Sequence, residues 1–230
     1  MVNELKEKNK PRVALLVILI FFSSIMVYSL NTESLQDIEV EEGHSEMTVK
    51  YPEKGESISY YNTTNNKTDY GKGVTAITYI DGKENTLELS VYVEKIISGE
   101  RIDIITTLIV RGDIDSKYPI NTLKLIGKEL DTKNASYNYY HGYGQFLEES
   151  NLTMWQESLE WPHMGNPNGN PIYYDINGND FFAKFRLDWT ITSEIIGIPQ
   201  TTQFKAVIEG DTSRDIETTV MITIEGEEDL

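Results

Sequence analysis

The sequence predicts an all-β protein: an antiparallel β-sandwich preceded by one N-terminal transmembrane helix. Three observations carry that prediction. From Val74 onward, apolar and polar residues alternate with a period of two in one segment after another. The segments are separated by turn dipeptides such as Asp81-Gly82, Ser98-Gly99 and Gly210-Asp211, with no βαβ pattern between them. Val13–Leu30 (VALLVILIFFSSIMVYSL) is a run of 18 residues without a charge.

The N-terminal run comes first in the chain and sets the expected address. As a helix rising about 1.5 Å per residue it spans roughly 27 Å, close to the thickness of a bilayer's hydrocarbon core. Lys6, Lys8, Lys10 and Arg12 precede it, and Glu33, Asp37, Glu39, Glu41 and Glu42 follow. The positive-inside rule then leaves residues 1–12 in the cytoplasm as a basic n-region and places the rest outside. Residues 13–30 read as an uncleaved signal-anchor. The rival is a signal peptide with its h-region near Val13–Phe22 and small residues at Val27 and Ser29 ahead of a cleavage site. The apolar run continues past Ser23-Ser24, which favours the anchor. Both readings export the remaining chain, and the first keeps it tethered to the membrane through residues 13–30.

Residues 31–57 are acidic and poor in large apolar side chains, and they read as a stalk or linker with a first edge strand at Glu46–Tyr51. Residues 58–230 form the expected extracytoplasmic sandwich. It opens on a polar loop, Tyr60–Gly73. Val74, Ala76, Thr78 and Ile80 then share one strand face, as do Leu87, Leu89, Val91 and Val93, and then Ile102, Ile104, Thr106, Leu108 and Val110. A shorter strand is expected near Thr122–Ile126. Residues 131–179 read as an aromatic and turn-rich insertion, with a short helix suggested by Leu152, Trp155 and Leu159. Six alternations follow from Phe181 to Thr192, and Phe204–Glu209 and Ile216–Glu225 complete the set. Eight to ten strands joined by turns describe a single sandwich, immunoglobulin-like in the broad sense. Two smaller sandwiches meeting near residue 131 are the alternative.

Composition excludes several function classes. The chain has 230 residues, 39% of them apolar, and a formal net charge of -17. Beyond residue 12 it holds 16 basic and 35 acidic residues. Such a surface opposes binding to nucleic acid or anionic lipid. With no cysteine there are no disulfides, thiolate metal sites or cysteine nucleophiles. Stability must come from the core, which a domain of this size can supply unaided. No HExxH, GxSxG or Walker sequence occurs. His44, His141 and His163 are too dispersed to suggest a metal centre, and carboxylate pairs are uninformative among 37 acidic residues.

Five features are candidates for chemistry or recognition. Asp175, Asn177, Asn179 and Asp180 approximate the start of a calcium loop, in which oxygens at alternate positions of a tight turn converge on Ca2+. The match is incomplete: Asp180 stands where such loops have Gly, and Arg186 where a closing Glu belongs. Asp113 and Asp115 form a second acidic turn. Tyr137, Tyr139, Tyr140 and Tyr143, near Trp155, Trp161, Tyr173 and Tyr174, could form a stacking platform for a glycan or another ligand. Sequons at Asn62, Asn66, Asn134 and Asn151 would meet an N-glycosylation system if the host has one. Arg111-Gly112-Asp113 is a tripeptide of a kind that adhesion receptors read, expected here in the turn after the Val110 strand.

These features lead to the expectation of a non-enzymatic cell-surface module that binds a protein or glycan partner. An exported hydrolase or carbohydrate-active enzyme with dispersed carboxylates is the first alternative. A structural envelope or appendage subunit that assembles through strand edges is the second.

Overall fold

A computed structural model describes residues 39–60, 62–64, 67–69, 71–118, 120–129, 142–154, 160–161, 172–192, 199–210 and 215–226. The expected transmembrane segment 13–30 lies outside them. Among the described residues no helix is long and apolar enough to cross a membrane.

Sixteen strands follow in chain order: β1 (Val40–Glu41), β2 (Gly43–Tyr51), β3 (Ser57–Ser59), β4 (Asn62–Thr64), β5 (Lys67–Asp69), β6 (Lys72–Ile80), β7 (Asn85–Ser98), β8 (Arg101–Asp113), β9 (Ile120–Glu129), β10 (Gly142–Ser150), β11 (Leu152–Met154), β12 (Glu160–Trp161), β13 (Ile172–Ile176), β14 (Asp180–Thr192), β15 (Gln200–Gly210) and β16 (Ile216–Gly226). One sheet runs β1-β6-β7-β8-β14-β10-β12, with β3 paired on β7. The other runs β11-β13-β9-β15-β16-β2, and β4 and β5 form a separate hairpin.

The alternation read from the sequence becomes the two inner faces. Leu87, Leu89, Val91 and Val93 of β7 are buried, as are Phe181, Ala183, Leu187 and Trp189 of β14. From the second sheet Leu123, Leu125, Phe204, Ala206, Ile208, Val220, Ile222 and Ile224 meet them in one continuous core. Each fully buried aliphatic side chain contributes about 1.5–3 kcal/mol relative to exposure, so the long strands carry the fold without disulfides. On β7 the alternation slips at Glu94, where a bulge against β8 lets Ile96 and Ser98 rejoin the inner face.

Five expectations need correction. The sandwich is not wholly antiparallel, because β2 lies parallel to β16 over nine rungs, from Gly43↔Thr218 to Tyr51↔Gly226. Residues 43–51 of the expected stalk are therefore part of the sandwich. Their alternate members Met47, Val49 and Tyr51 pack on or in the core, which is why so acidic a segment still makes a strand. The polar loop Tyr60–Gly73 contains the β4–β5 hairpin, with Asn62 opposite Asp69. Leu152, expected in a helix, starts strand β11 opposite Ile176, with Leu152 buried and Thr153 exposed. Trp155 and Leu159 lie outside the described residues. The stretch 131–179 also contributes working strands, β10 to the first sheet and β11 and β13 to the second.

The N-terminal strand pair changes sheets. β1 pairs with β6 through Val40↔Ile80 and Glu41↔Tyr79, and one residue later β2 belongs to the opposite sheet. A Cβ on Gly43 would stand 2.4 Å from the backbone of Ile77, so only glycine passes this crossing. A seam of cross-sheet bonds follows. The Gly43 N–H donates to Thr78 Oγ1 (2.8 Å), Ser45 Oγ donates to the Thr75 carbonyl (2.8 Å), and Lys72 Nζ donates to the Thr48 carbonyl (2.7 Å). The seam occupies part of an edge that would otherwise offer itself to another strand.

Candidate functional site

The sandwich has two poles, and the candidate residues divide between them. At one pole β6 turns into β7, β8 leads toward β9, and β13 turns into β14. The calcium-type turn lies there. Its backbone is tied down by polar bonds: the Asn177 N–H donates to the Asn151 carbonyl (2.8 Å), and Ile114 N–H donates to the Asn179 carbonyl (3.0 Å). Asn177 Nδ2 donates to Thr153 Oγ1 (2.8 Å), and Asn151 Nδ2 donates to the Asp180 carbonyl (2.6 Å). Asn151 holds a left-handed φ of 57°, which its short side chain tolerates. The result is a buckle joining the ends of β8, β10, β13 and β14. Asp175, Asn177, Asn179 and Asp180 are all exposed on it, and Asp180 stands directly across from Asp113. Among the described residues no three of His, Cys, Asp and Glu converge so as to hold a metal ion.

A second network pins the neighbouring turn. Asp81 and Gly82 turn the chain with φ of 52° and 85°. Asp81 Oδ2 accepts from the Tyr118 hydroxyl (2.6 Å) and from Lys117 Nζ (3.3 Å). Asn85 Oδ1 accepts from the Asp115 N–H (2.7 Å), and Asp115 Oδ1 accepts from the Lys117 N–H (3.0 Å). Asp115, a candidate ligand by sequence, is thus part of a turn that caps its own loop. The hydrogen bonds from Tyr118 and Lys117 hold the Asp81 carboxyl below its ordinary value. Burial, and then the bond to Asp81, raise the Tyr118 phenol. A carboxyl lowered in the folded state stabilises the fold above its unfolded value, and that contribution disappears as pH falls through the folded value. Asp81→Asn should therefore be less stable than the parent at pH 7. The difference should shrink steadily below the ordinary carboxylate range, as urea midpoints at pH 7, 5, 4 and 3 would show. A gap that widens toward low pH would contradict this assignment.

Two of the aromatic candidates, Tyr143 and Trp161, lie on strands in the other half of the molecule. Tyr143 pairs with Asp188 on β14 and with Glu160 on β12, and Gly142 pairs with Trp161. Asp188 is eight residues along β14 from Asp180, about 27 Å in strand rise. The aromatic strand and the calcium-type turn therefore form two surfaces rather than one. Tyr174 leaves the platform altogether: it is fully buried in the core. Tyr173 is half-buried, with Lys124 Nζ 5.8 Å from its ring centre. Tyr137, Tyr139, Tyr140 and Trp155, and the sequons at Asn66 and Asn134, lie outside the described residues, as do His141 and His163. Arg111-Gly112-Asp113 is no turn. It lies within β8, paired on both sides, with Arg111 5.7 Å from the Phe182 ring and the Phe181 ring lying where a Gly112 side chain would be.

The outer face of the first sheet carries a group not anticipated from the sequence. Glu94, at the β7 bulge, is 9% exposed; its carboxylate accepts from the buried Thr107 hydroxyl and its carbonyl accepts from the Tyr60 N–H (2.7 Å). Farther along β7, Ser90 donates to Glu88 (3.0 Å) and shares a hydrogen bond with Thr75 (2.7 Å). The signal for the bulge was present, because Val93 and Ile96 break the two-residue period. The burial of Glu94 was not signalled, since its partners, Thr107 on β8 and the Tyr60 N–H beyond β3, come beside it only when the sheet forms.

No protein-family model matches the chain, and no curated protein matches it. Solved structures resemble it at low identity. The collagen-binding domain of a Staphylococcus aureus adhesin is 8% identical over 53% of this chain and 87% of that one, with a TM-score of 0.25. CfaE, the adhesive subunit of the CFA/I fimbria of enterotoxigenic Escherichia coli, is 9% identical over 70% of this chain and 60% of that one, with a TM-score of 0.34. The Enterococcus faecalis protein ACE is 6% identical over 83% and 94% of the two chains, with a TM-score of 0.30. No function is assigned from likeness at this level.

Proposed function

We propose that the chain is a membrane-tethered, extracytoplasmic β-sandwich that acts by binding a protein or glycan partner and not by catalysis. The placement of the chain ends carries the reading. β1 leaves the sandwich at the turn-rich pole, where the Asp81 N–H donates to the Glu39 carbonyl (2.8 Å). β16 ends at Gly226, at the opposite pole. Only residues 31–38 separate Glu39 from the apolar run, a reach of at most about 28 Å. A helix at 13–30 would thus hold the acidic, turn-rich pole toward the bilayer and turn the other pole, with the Tyr143 and Trp161 strands, toward the surroundings. Negative charge near anionic lipid headgroups would keep the module off the membrane surface. At the turn-rich pole the side chains of Asp81, Asn85, Asp115, Asn151 and Asn177 are used within the turn and the buckle, which suits a support better than a reacting centre.

The test is to express the full chain in a bacterial host and follow it by fractionation and protease treatment. It should stay with the membrane after alkaline carbonate extraction and be cut from outside in intact, outer-membrane-permeabilised cells. Release of the whole sandwich as a soluble exported protein would overturn the tether. Recovery from the cytosol with residues 1–30 attached would overturn the entire reading.

A further inference from the structure

We infer that the β2–β16 ladder is a force-bearing clamp, which makes the sandwich resist tension applied between its N- and C-terminal ends. The use of such a clamp rests on the tethered reading above; its existence rests on the fold alone. β2 and β16 run parallel through nine consecutive rungs without a register shift. The chain enters this ladder at Gly43 and leaves it at Gly226, which are its opposite ends. Pulling on the two termini therefore draws the strands along their own axes in opposite senses. The backbone hydrogen bonds of a parallel pair are evenly spaced along the strands, so all the rungs share the load and must fail together. Had the terminal strands been antiparallel neighbours, the same pull would open the rungs one after another.

Three further features hold β2 as a clamp requires. Val49 and Tyr51 are buried, so sliding β2 along β16 would drag core side chains through their neighbours. The seam from Gly43, Ser45 and Thr48 to Thr78, Thr75 and Lys72 fastens β2 across to β6. At the far end the Tyr51 hydroxyl lies 2.6 Å from where a Gly226 Cβ would be, so Tyr51 is seated over the last rung. Upstream, β1 is held to β6 by only two residue pairs and should yield first. Tension arriving from the membrane side would then reach β2 with the ladder intact. A partner gripping the opposite pole would be resisted by the ladder, not by the short β1 contact.

The chain has no cysteine, so introduced cysteines are unique attachment points. Optical-tweezers handles are placed on the full chain in detergent micelles at two pairs of positions. Glu39→Cys with Leu230→Cys loads the ladder along its length. Glu39→Cys with Asp215→Cys pulls from one pole, where both strands begin, and peels the ladder from the Gly43↔Thr218 rung. Glu39 and Asp215 are exposed, and both variants should share one urea midpoint. At equal loading rate the first pair should unfold at a severalfold higher force, since forced unfolding is governed by the barrier along the pulled direction. Equal forces, or a higher force for the second pair, would overturn the clamp. Neither result depends on where the chain resides in a cell, so failure of the tether would be seen by fractionation alone.

Discussion

Gly43→Ala should destabilise the protein by about 3 kcal/mol, near the upper end of the range for overpacked interiors. The added methyl would stand 2.4 Å from the carbonyl carbon and oxygen of Ile77 and 2.7 Å from its nitrogen. Those are backbone atoms of a strand paired with β7, and they cannot rotate away as a side chain could. Relief requires β2 to lift from β6, which lengthens the bond from the Gly43 N–H to Thr78 Oγ1 and disturbs the first rung of the parallel ladder. The cost therefore combines steric strain with a weakened, partly buried hydrogen bond. Glu42→Ala, one residue earlier and exposed, should change stability by less than about 0.5 kcal/mol. Urea unfolding would measure both, with an unchanged m-value confirming that stability and not the compactness of either state has moved. A Gly43→Ala loss below about 1 kcal/mol would mean that the chain crosses between sheets with room to spare.

That crossing also marks the limit of what the sequence discloses. The central strands β6, β7, β8 and β14 were legible because both neighbours of each are strands. Their buried faces then carry a mostly aliphatic and aromatic alternation, broken on β7 by the bulge at Glu94, from Val74 to Val110 and from Phe181 onward. β2 was only half legible, since its exposed positions are His44, Glu46, Thr48 and Lys50, and its apolar positions include a glycine and a serine. What makes it a strand is the β16 edge, contributed from the far end of the chain, and no local period encodes such a partner. The candidate sites follow the same division. A turn at Asp175–Asp180 was evident from its Asn, Gly and Asp content. Its closure by Asn151, Thr153 and Ile114 depends on residues that become neighbours only when the two sheets form. The Arg111-Gly112-Asp113 triplet misled for the opposite reason. Gly112 looks like a turn residue, but it is a strand residue whose missing side chain gives Phe181 its place.

Thr78→Val should cost about 3 kcal/mol, although it preserves volume and shape almost completely. Thr78 is wholly buried, and its hydroxyl ties β6 to both β2 and β16. It accepts from the Gly43 N–H (2.8 Å) and donates to the Glu217 carbonyl (2.7 Å), and Thr218 Oγ1 lies 2.6 Å away. Valine would leave the Gly43 N–H and the Glu217 carbonyl without this partner, at about 1–3 kcal/mol for each group kept from water. Thr218 would suffer less, because its hydroxyl can turn to the Leu87 carbonyl at 2.9 Å. Two comparisons separate this account from a packing effect. Thr78→Ser keeps the hydroxyl and removes a methyl, so it should cost only about 1 kcal/mol. Thr218→Val combined with Thr78→Val should be less destabilising than the sum of the single changes, with a coupling of about 1 kcal/mol, since the two hydroxyls share one network. If valine and serine at position 78 cost the same, the methyl and not the hydroxyl is what matters. The two sheets would then be joined at this edge by apolar contact alone.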